Sequence, residues 1–255
     1  MFNLAPVPVP DLTGRTVLVT GAGKGIGAEL VRILHAKGAR TYAGVYTVDF
    51  AEDCPEGVTQ LTLDVTSQSD VDAAIARITT EAGGLDVLVN NAGVINPIEH
   101  LALTATDDLA HAFAVNVMGV HRMTLAALPL LRAARGTVLN AGTGAATTAM
   151  EGWTAYCSSK AGMQMLTRMM ALELEREGLR IFFLGIPPTD TGMQDKIRAS
   201  GLNPISQIPK DKLVPTHVPA SVMAHLCGPN PAMKEVLLDV RQEVFAKMMD
   251  LDRPV

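Results

Sequence analysis

Cysteine is scarce in this chain of 255 residues: Cys54, Cys157 and Cys227 are scattered and odd in number. That excludes a disulfide framework, and the absence of metal-ligand spacing gives no reason to expect a metal. Charge is also thin, at 18% of residues with a net value of −5 and a pI near 5.7. Such a mildly acidic balance offers no attraction to nucleic acid or to an anionic membrane surface. Long apolar runs are missing too. The most apolar stretch, Ile181–Ile186, is far too short to span a bilayer, and no apolar segment precedes the first basic residue, Arg15. No secretory signal, no membrane partner and a reducing cytoplasm are therefore expected. What is present is apolar residue, 48% of the chain, enough to bury a sizeable core.

Short β-rich runs alternate with helical patterns. Arg15–Thr20, Arg40–Tyr46, Thr59–Leu63, Asp86–Asn90, Gly136–Asn140 and Arg180–Leu184 read as buried strands, with Val236–Asp239 as a candidate last one. Helices are expected over Gly25–Lys37, Ser67–Ala82, Ala105–Arg132 and Thr154–Glu177. Alternation of this kind predicts an α/β fold, a doubly wound parallel sheet covered on both faces, as one domain over residues 1–255. Loop Pro187–Pro219, rich in proline and holding Gly192 and Gly201, is expected to lack long regular elements and to cover the substrate.

The first strand runs straight into Gly21-Ala22-Gly23-Lys24-Gly25-Ile26-Gly27, and a helix follows. Gly21 permits a tight turn, Gly25 clears space for a pyrophosphate, and Gly27 lets helix pack on strand. The helix N-terminus then offers N–H groups and partial positive charge to an anion. Further on, Tyr156 and Lys160 lie four residues apart, which stacks a phenol and an ammonium on one helical face. A positive charge there is expected to lower the phenol pKa, as a general acid for a ketone or a base for an alcohol requires.

Together these blocks resemble the compact branch of the short-chain dehydrogenase/reductase family. Thr20–Gly27 matches its T-G-x-x-x-G-x-G turn, and Tyr156/Lys160 its Y-x-x-x-K pair. Asp64-Val65 is similar to the family's adenine-contacting block, Asn91-Ala92-Gly93 to the end of its N-N-A-G motif, and Asn116 to its helix asparagine. The resemblance covers nearly all of residues 12–193. It implies a Rossmann fold, an NAD(P) cofactor and hydride exchange between a ketone or aldehyde and an alcohol. It further implies Tyr156 as acid/base, Lys160 and Asn116 in a proton relay, and a homodimer or homotetramer formed through the helices at 105–132 and 154–177.

Two departures stand out. Where the family keeps a serine, thirteen residues before the tyrosine, this chain has Thr143, which retains a hydroxyl and adds a methyl. Where the family has Pro-Gly after the sixth strand, Ile186-Pro187 stands, followed by Thr189 and Thr191 as candidate carboxamide contacts. Both departures lend support to a second class of reading, a dinucleotide-binding scaffold without catalysis.

The acid that marks NAD preference is replaced by Val45, and Tyr46 stands at the arginine position of NADP-preferring members. Lys24 lies where a 2′-phosphate would, so charge complementarity leans to NADP over NAD. Ile95, Ala145, Met150, Trp153 and Met193 are expected to line the substrate site, a set suited to a largely apolar carbonyl or alcohol. The Met-rich stretch Gln164–Ala171 reads as core or subunit interface.

Overall fold

A computed structural model of the chain describes residues 3–47, 54–229 and 233–249. β1 (Thr16–Thr20) is TVLVT, buried at every position, and β4 (Val87–Asn90) is likewise fully buried. Strands apolar on both faces demand cover on both sides, which only a parallel sheet with crossover helices supplies. With β2 (Arg40–Val45), β3 (Thr59–Thr62), β5 (Thr137–Thr143), β6 (Arg180–Ile186) and β7 (Leu237–Asp239), they form one seven-stranded sheet. Its order is β3-β2-β1-β4-β5-β6-β7, parallel throughout. This is the doubly wound Rossmann arrangement, in a single domain. The order reverses between β1 and β4, so their C-terminal ends open a crevice, the usual ligand position in such sheets.

α1 (Gly25–Ala36) and α7 (His217–Leu226) cover one face, packing Leu30, Val31 and Leu34 with Val222, Met223 and Leu226. The other face carries α2 (Gln68–Ala82), α4 (Val120–Ala134) and α5 (Thr154–Leu174), with Val71, Ile78, Met123, Leu131, Met163 and Met170 inward. Ahead of α4, α3 (Thr106–Phe113) leads into a wide π turn at Ala114–Gly119, so the helix expected over Ala105–Arg132 is interrupted. Residues 106–134 are long and apolar enough to cross a membrane by composition alone. Here the stretch buries Val120, Met123, Ala127 and Leu131 against the sheet side of the molecule.

The segment Pro187–Pro219 differs from expectation. It contains α6 (Gly192–Ser200), closed by Gly201 in the left-handed conformation, and two single 3-10 turns at Pro204–Gln207 and Lys210–Lys212. Asp190 N–H bonds Val214 O and Val214 N–H bonds Pro188 O, so the segment is stitched into a compact lid. α7 begins inside it and was not foreseen. Pro219 sits in the first turn, where a missing N–H costs nothing, and the helix is buried nearly all round, so it shows no amphipathic period.

Candidate active site

At the end of β1 the chain turns through Gly21 (φ 63°) and Gly25 (φ 58°), conformations that favour glycine. A Cβ on Gly27 would stand 2.4 Å from Gly21 O and 2.5 Å from Asn91 Nδ2, so helix, turn and β4 meet here without room for a side chain. Asn91 Nδ2 donates to Thr20 O and Gly21 O, both at 3.0 Å, and Thr20 Oγ1 accepts from the N–H groups of Asn91 and Ala92. The glycine turn is thus fixed to the β4 end. α1 starts with no side-chain cap, leaving its first N–H groups open toward a cavity of about 480 Å³. Gly21, Gly23, Lys24, Gly25, Ile26 and Gly27 line that cavity, as do Asp64, Val65, Asn91, Ala92 and Gly93.

Asp64 does not cap α2, a task taken by Ser67, which accepts the Asp70 N–H. Instead, Asp64 Oδ1 accepts from the Thr66 N–H and hydroxyl at 2.8 and 2.7 Å, fixing the carboxylate at the cavity wall. Lys24 is exposed on the cavity margin, Val45 is buried, and Tyr46 is 65% exposed beside the same cavity. His111 and Val115 also line it, and nothing in the sequence reading singled them out. An uncapped helix N-terminus, a turn without side chains and an acid at the far wall fit a dinucleotide: phosphates at Gly21–Gly27, a nucleoside toward Asp64 and Val65.

The second cavity, about 430 Å³, shares Ile26, Asn91, Gly93, Thr191 and Met193 with the first, so the two adjoin. It holds Tyr156, Lys160 and Thr143, with Thr189 and Ile186-Pro187 at the same end. Of the expected substrate residues, Ala145, Met150, Trp153 and Met193 line it; Ile95 is buried behind them in a cluster with Trp153 and Tyr156. Thr189 Oγ1 donates to Pro187 O at 2.8 Å, which turns that hydroxyl back onto its own loop. Arg241, paired with Asp239, also borders the cavity and was not anticipated.

A line of buried amides anchors α5. Asn90 Nδ2 donates to Asn140 Oδ1 at 2.9 Å, Asn140 Nδ2 to Thr167 Oγ1 at 2.9 Å, and Thr167 to Met163 O at 2.8 Å. In a low-dielectric interior a satisfied chain of this kind fixes one geometry. It ties β4 and β5 to the helix that carries Tyr156 and Lys160. Asn116, in the π turn, is fully buried. Its Oδ1 accepts the Val94 N–H, and its Nδ2 donates to Val94 O and Ser159 Oγ, each at 2.9 Å. The side chain thereby locks α5 to the strand-β4 loop. Ser159, inside the Y-x-x-x-K segment, is a partner that the pair's spacing alone does not reveal.

One expectation about the pair is corrected. Burial pushes the Tyr156 phenol up to about 12, against the opposing pull of a hydrogen bond from Thr143. Burial brings Lys160 down to about 8. The Lys160 ammonium donates to Ala141 O at 2.9 Å and lies 5.9 Å from the phenol ring centre. Desolvation therefore sets the direction for both groups, and the phenol moves up where the helical spacing led one to expect a lowering.

Residues 15–201 match the family model of short chain dehydrogenases. The chain belongs to that family. It is an NAD(P)-dependent oxidoreductase. Among its relatives is 17-beta-hydroxysteroid dehydrogenase type 6 of Homo sapiens, 33% identical over 72% of this chain, although the match spans only 60% of the human protein. A 3-oxoacyl-[acyl-carrier-protein] reductase of Vibrio cholerae is 29% identical over 87% of this chain and 93% of its own length. Among solved structures, a short chain dehydrogenase/reductase from Saccharomyces cerevisiae superposes with a TM-score of 0.83. That match covers 92% of this chain and 99% of the other at 24% identity, which speaks to the fold.

Proposed function

We propose that the chain reduces a largely apolar ketone or aldehyde to its alcohol, with Tyr156 as proton donor and NADPH as the preferred reductant. The carrying observation is the buried Tyr156–Lys160 pair, which lines the second cavity together with Thr143. A bound reduced nicotinamide supplies the hydride to the carbonyl carbon. This chain's own residues handle the oxygen. Thr143 and Tyr156 hold it by their hydroxyls, and as negative charge develops there the Tyr156 proton moves to it. An alkoxide is a stronger base than a phenolate, even one with a pKa near 12, so this transfer runs downhill.

Lys160 sets the field around the phenol, while Asn116 and Ser159 hold the helix face in place. Thr191, which lines both cavities, and Thr189, which lines the second, are the hydroxyls we assign to the nicotinamide carboxamide. The lean to NADPH rests on Lys24 at the first cavity and on the absence of an acid at Val45 and Tyr46. The exposed apolar side chains Met118, Leu125, Met165, Met169 and Leu172 on the π turn, α4 and α5 support assembly of copies through these helices. The test is loss of reduced-nicotinamide absorbance with NADPH and NADH across a panel of apolar ketones and aldehydes. Turnover is expected. Cofactor binding without any turnover would return the chain to the scaffold reading.

A further inference from the structure

Two segments contribute large apolar side chains to the wall of the second cavity. The loop at 150–153 supplies Met150 and Trp153, and the lid supplies Met193, Ile197, Ile205 and Ile208. The loop is tied to the chain that follows β4: Glu99 N–H donates to Gly152 O at 2.9 Å, and Glu99 pairs with Trp153 in an isolated bridge. The lid is tied at its base by the bonds between Val214 and Pro188 and Asp190. Its tip is tied by Asn203, whose Nδ2 donates to Glu151 O at 3.0 Å. Among the described residues, this is the one hydrogen bond that joins residues 191–213 to anything outside the lid. Asn203 is buried, and its partners fix its orientation: Oδ1 accepts the Ile205 N–H at 3.1 Å, so the donor end meets Glu151. Beside it, a Cβ on Gly152 would stand 2.6 Å from Leu202 Cδ1, so the tip lies flush on the loop. Within the lid, Gln194 Nε2 donates to Ile205 O at 3.0 Å, which couples α6 to the turn that Asn203 begins. The remaining contact is apolar and non-directional, with Met193, Ile197 and Ile205 packed in one cluster with Ile95 and Trp153.

We propose that Asn203 is the latch of the substrate cavity: its amide holds the lid tip to the 150–153 loop, and release of that bond lets α6 and the following turn move away together and admit substrate. Asn203 is a positioning residue. It acts through the wall side chains that lid and loop carry. The proposal rests on the reading of the second cavity as the substrate site and adds how that site is entered. One net hydrogen bond shifts an equilibrium by about fivefold, enough to favour the closed lid and small enough to be broken in each cycle. Lids are drawn from the least stable parts of a fold for this reason.

The test uses Asn203→Asp, which keeps the oxygen that accepts from Ile205 and replaces the donor at Glu151 O by a second acceptor. Trp153, the only tryptophan, packs with the lid residues and reports on its opening. Acrylamide, a small neutral quencher, reaches the ring only when the cavity admits it. The quenching constant of Trp153 emission is expected to rise about fivefold or more in the variant, the worth of the lost bond. An unchanged constant overturns the latch. Stopped-flow binding of acetophenone to the protein loaded with oxidised nicotinamide, a pair that cannot react, separates a latch from a prop. Removing a latch speeds entry and exit together, again about fivefold, and leaves affinity nearly unchanged. Weaker affinity with the parent's entry rate would make Asn203 a wall support and overturn the proposal. Increased quenching in a protein that does not bind acetophenone retains the latch and removes the carbonyl reading. Should Asn203→Asp fail to fold, Asn203→Ser carries the same expectations, since its hydroxyl still caps the turn and is too short to reach Glu151 O.

Discussion

The two halves of the site end at the same edge of one sheet, yet they are built from different materials. The β1–β4 half presents backbone: a glycine turn, an uncapped helix start and the ends of strands, pinned by Thr20 and Asn91. The β5–β6 half presents side chains: Thr143 from one strand end, Tyr156 and Lys160 from a helix, Trp153 before it and the lid above. Backbone that must approach a constant ligand tolerates little change, and this half follows the family motif closely. Side chains around a variable ligand can change: the departures at Thr143 and Ile186-Pro187 fall in the second half, and those at Val45 and Tyr46 in the first are side-chain changes at the cavity margin, outside the glycine turn.

The comparison breaks most readily at Tyr156. Tyr156→Phe should lower turnover by about 10²- to 10⁴-fold, the worth of a positioned general acid, and leave cofactor affinity, read by nicotinamide fluorescence, nearly unchanged. If both fall together, the halves are not separable in function.

Thr143→Val should lower kcat by roughly ten- to a thousand-fold by deleting one donor that strengthens in the transition state. Thr143→Ser should retain activity and accept bulkier ketones, since only a methyl is lost. Parent-like kinetics in Thr143→Val would make this threonine a wall residue.

Lys160 offers a stability readout on the side-chain half. Its folded pKa, about 8, lies below the ordinary 10.5, so between those values the unfolded chain binds more protons and stability rises with pH. Below pH 8 the buried ammonium costs on the order of 3 kcal/mol. Lys160→Met should therefore gain on the parent in denaturant midpoint at pH 7, and the gain should shrink toward pH 10. A gap constant with pH would mean that desolvation of the ammonium is not the cause.

The smallest effect is expected at the margin of the backbone half. Lys24→Ala should weaken NADPH by about 1–3 kcal/mol and NADH by less, as measured by titration. Equal losses would show that Lys24 does not read the 2′-phosphate.

Sequence alone was sufficient for the sheet and for most of the residues that gather around its first cavity. Five-residue buried strands, a glycine turn joined to a helix, and Y-x-x-x-K are local patterns, and local patterns survive without knowledge of the partner surface. The strands came out within a few residues, and residues 21, 23–27, 64–65 and 91–93 line one cavity. Only tertiary structure decided the rest. α7 has no period to read because it is buried on all sides, and the lid's helix was hidden behind prolines that lie outside it. The Asn90–Asn140–Thr167 line joins residues far apart in the chain, each of them unremarkable where it stands. Spacing placed a charge near the Tyr156 phenol, but the phenol's pKa depends on how much water is excluded around it, and exclusion of water is set by everything that packs there. The same holds for Trp153: a sequence shows an indole, and only packing shows that its N–H is buried with no partner among the described residues.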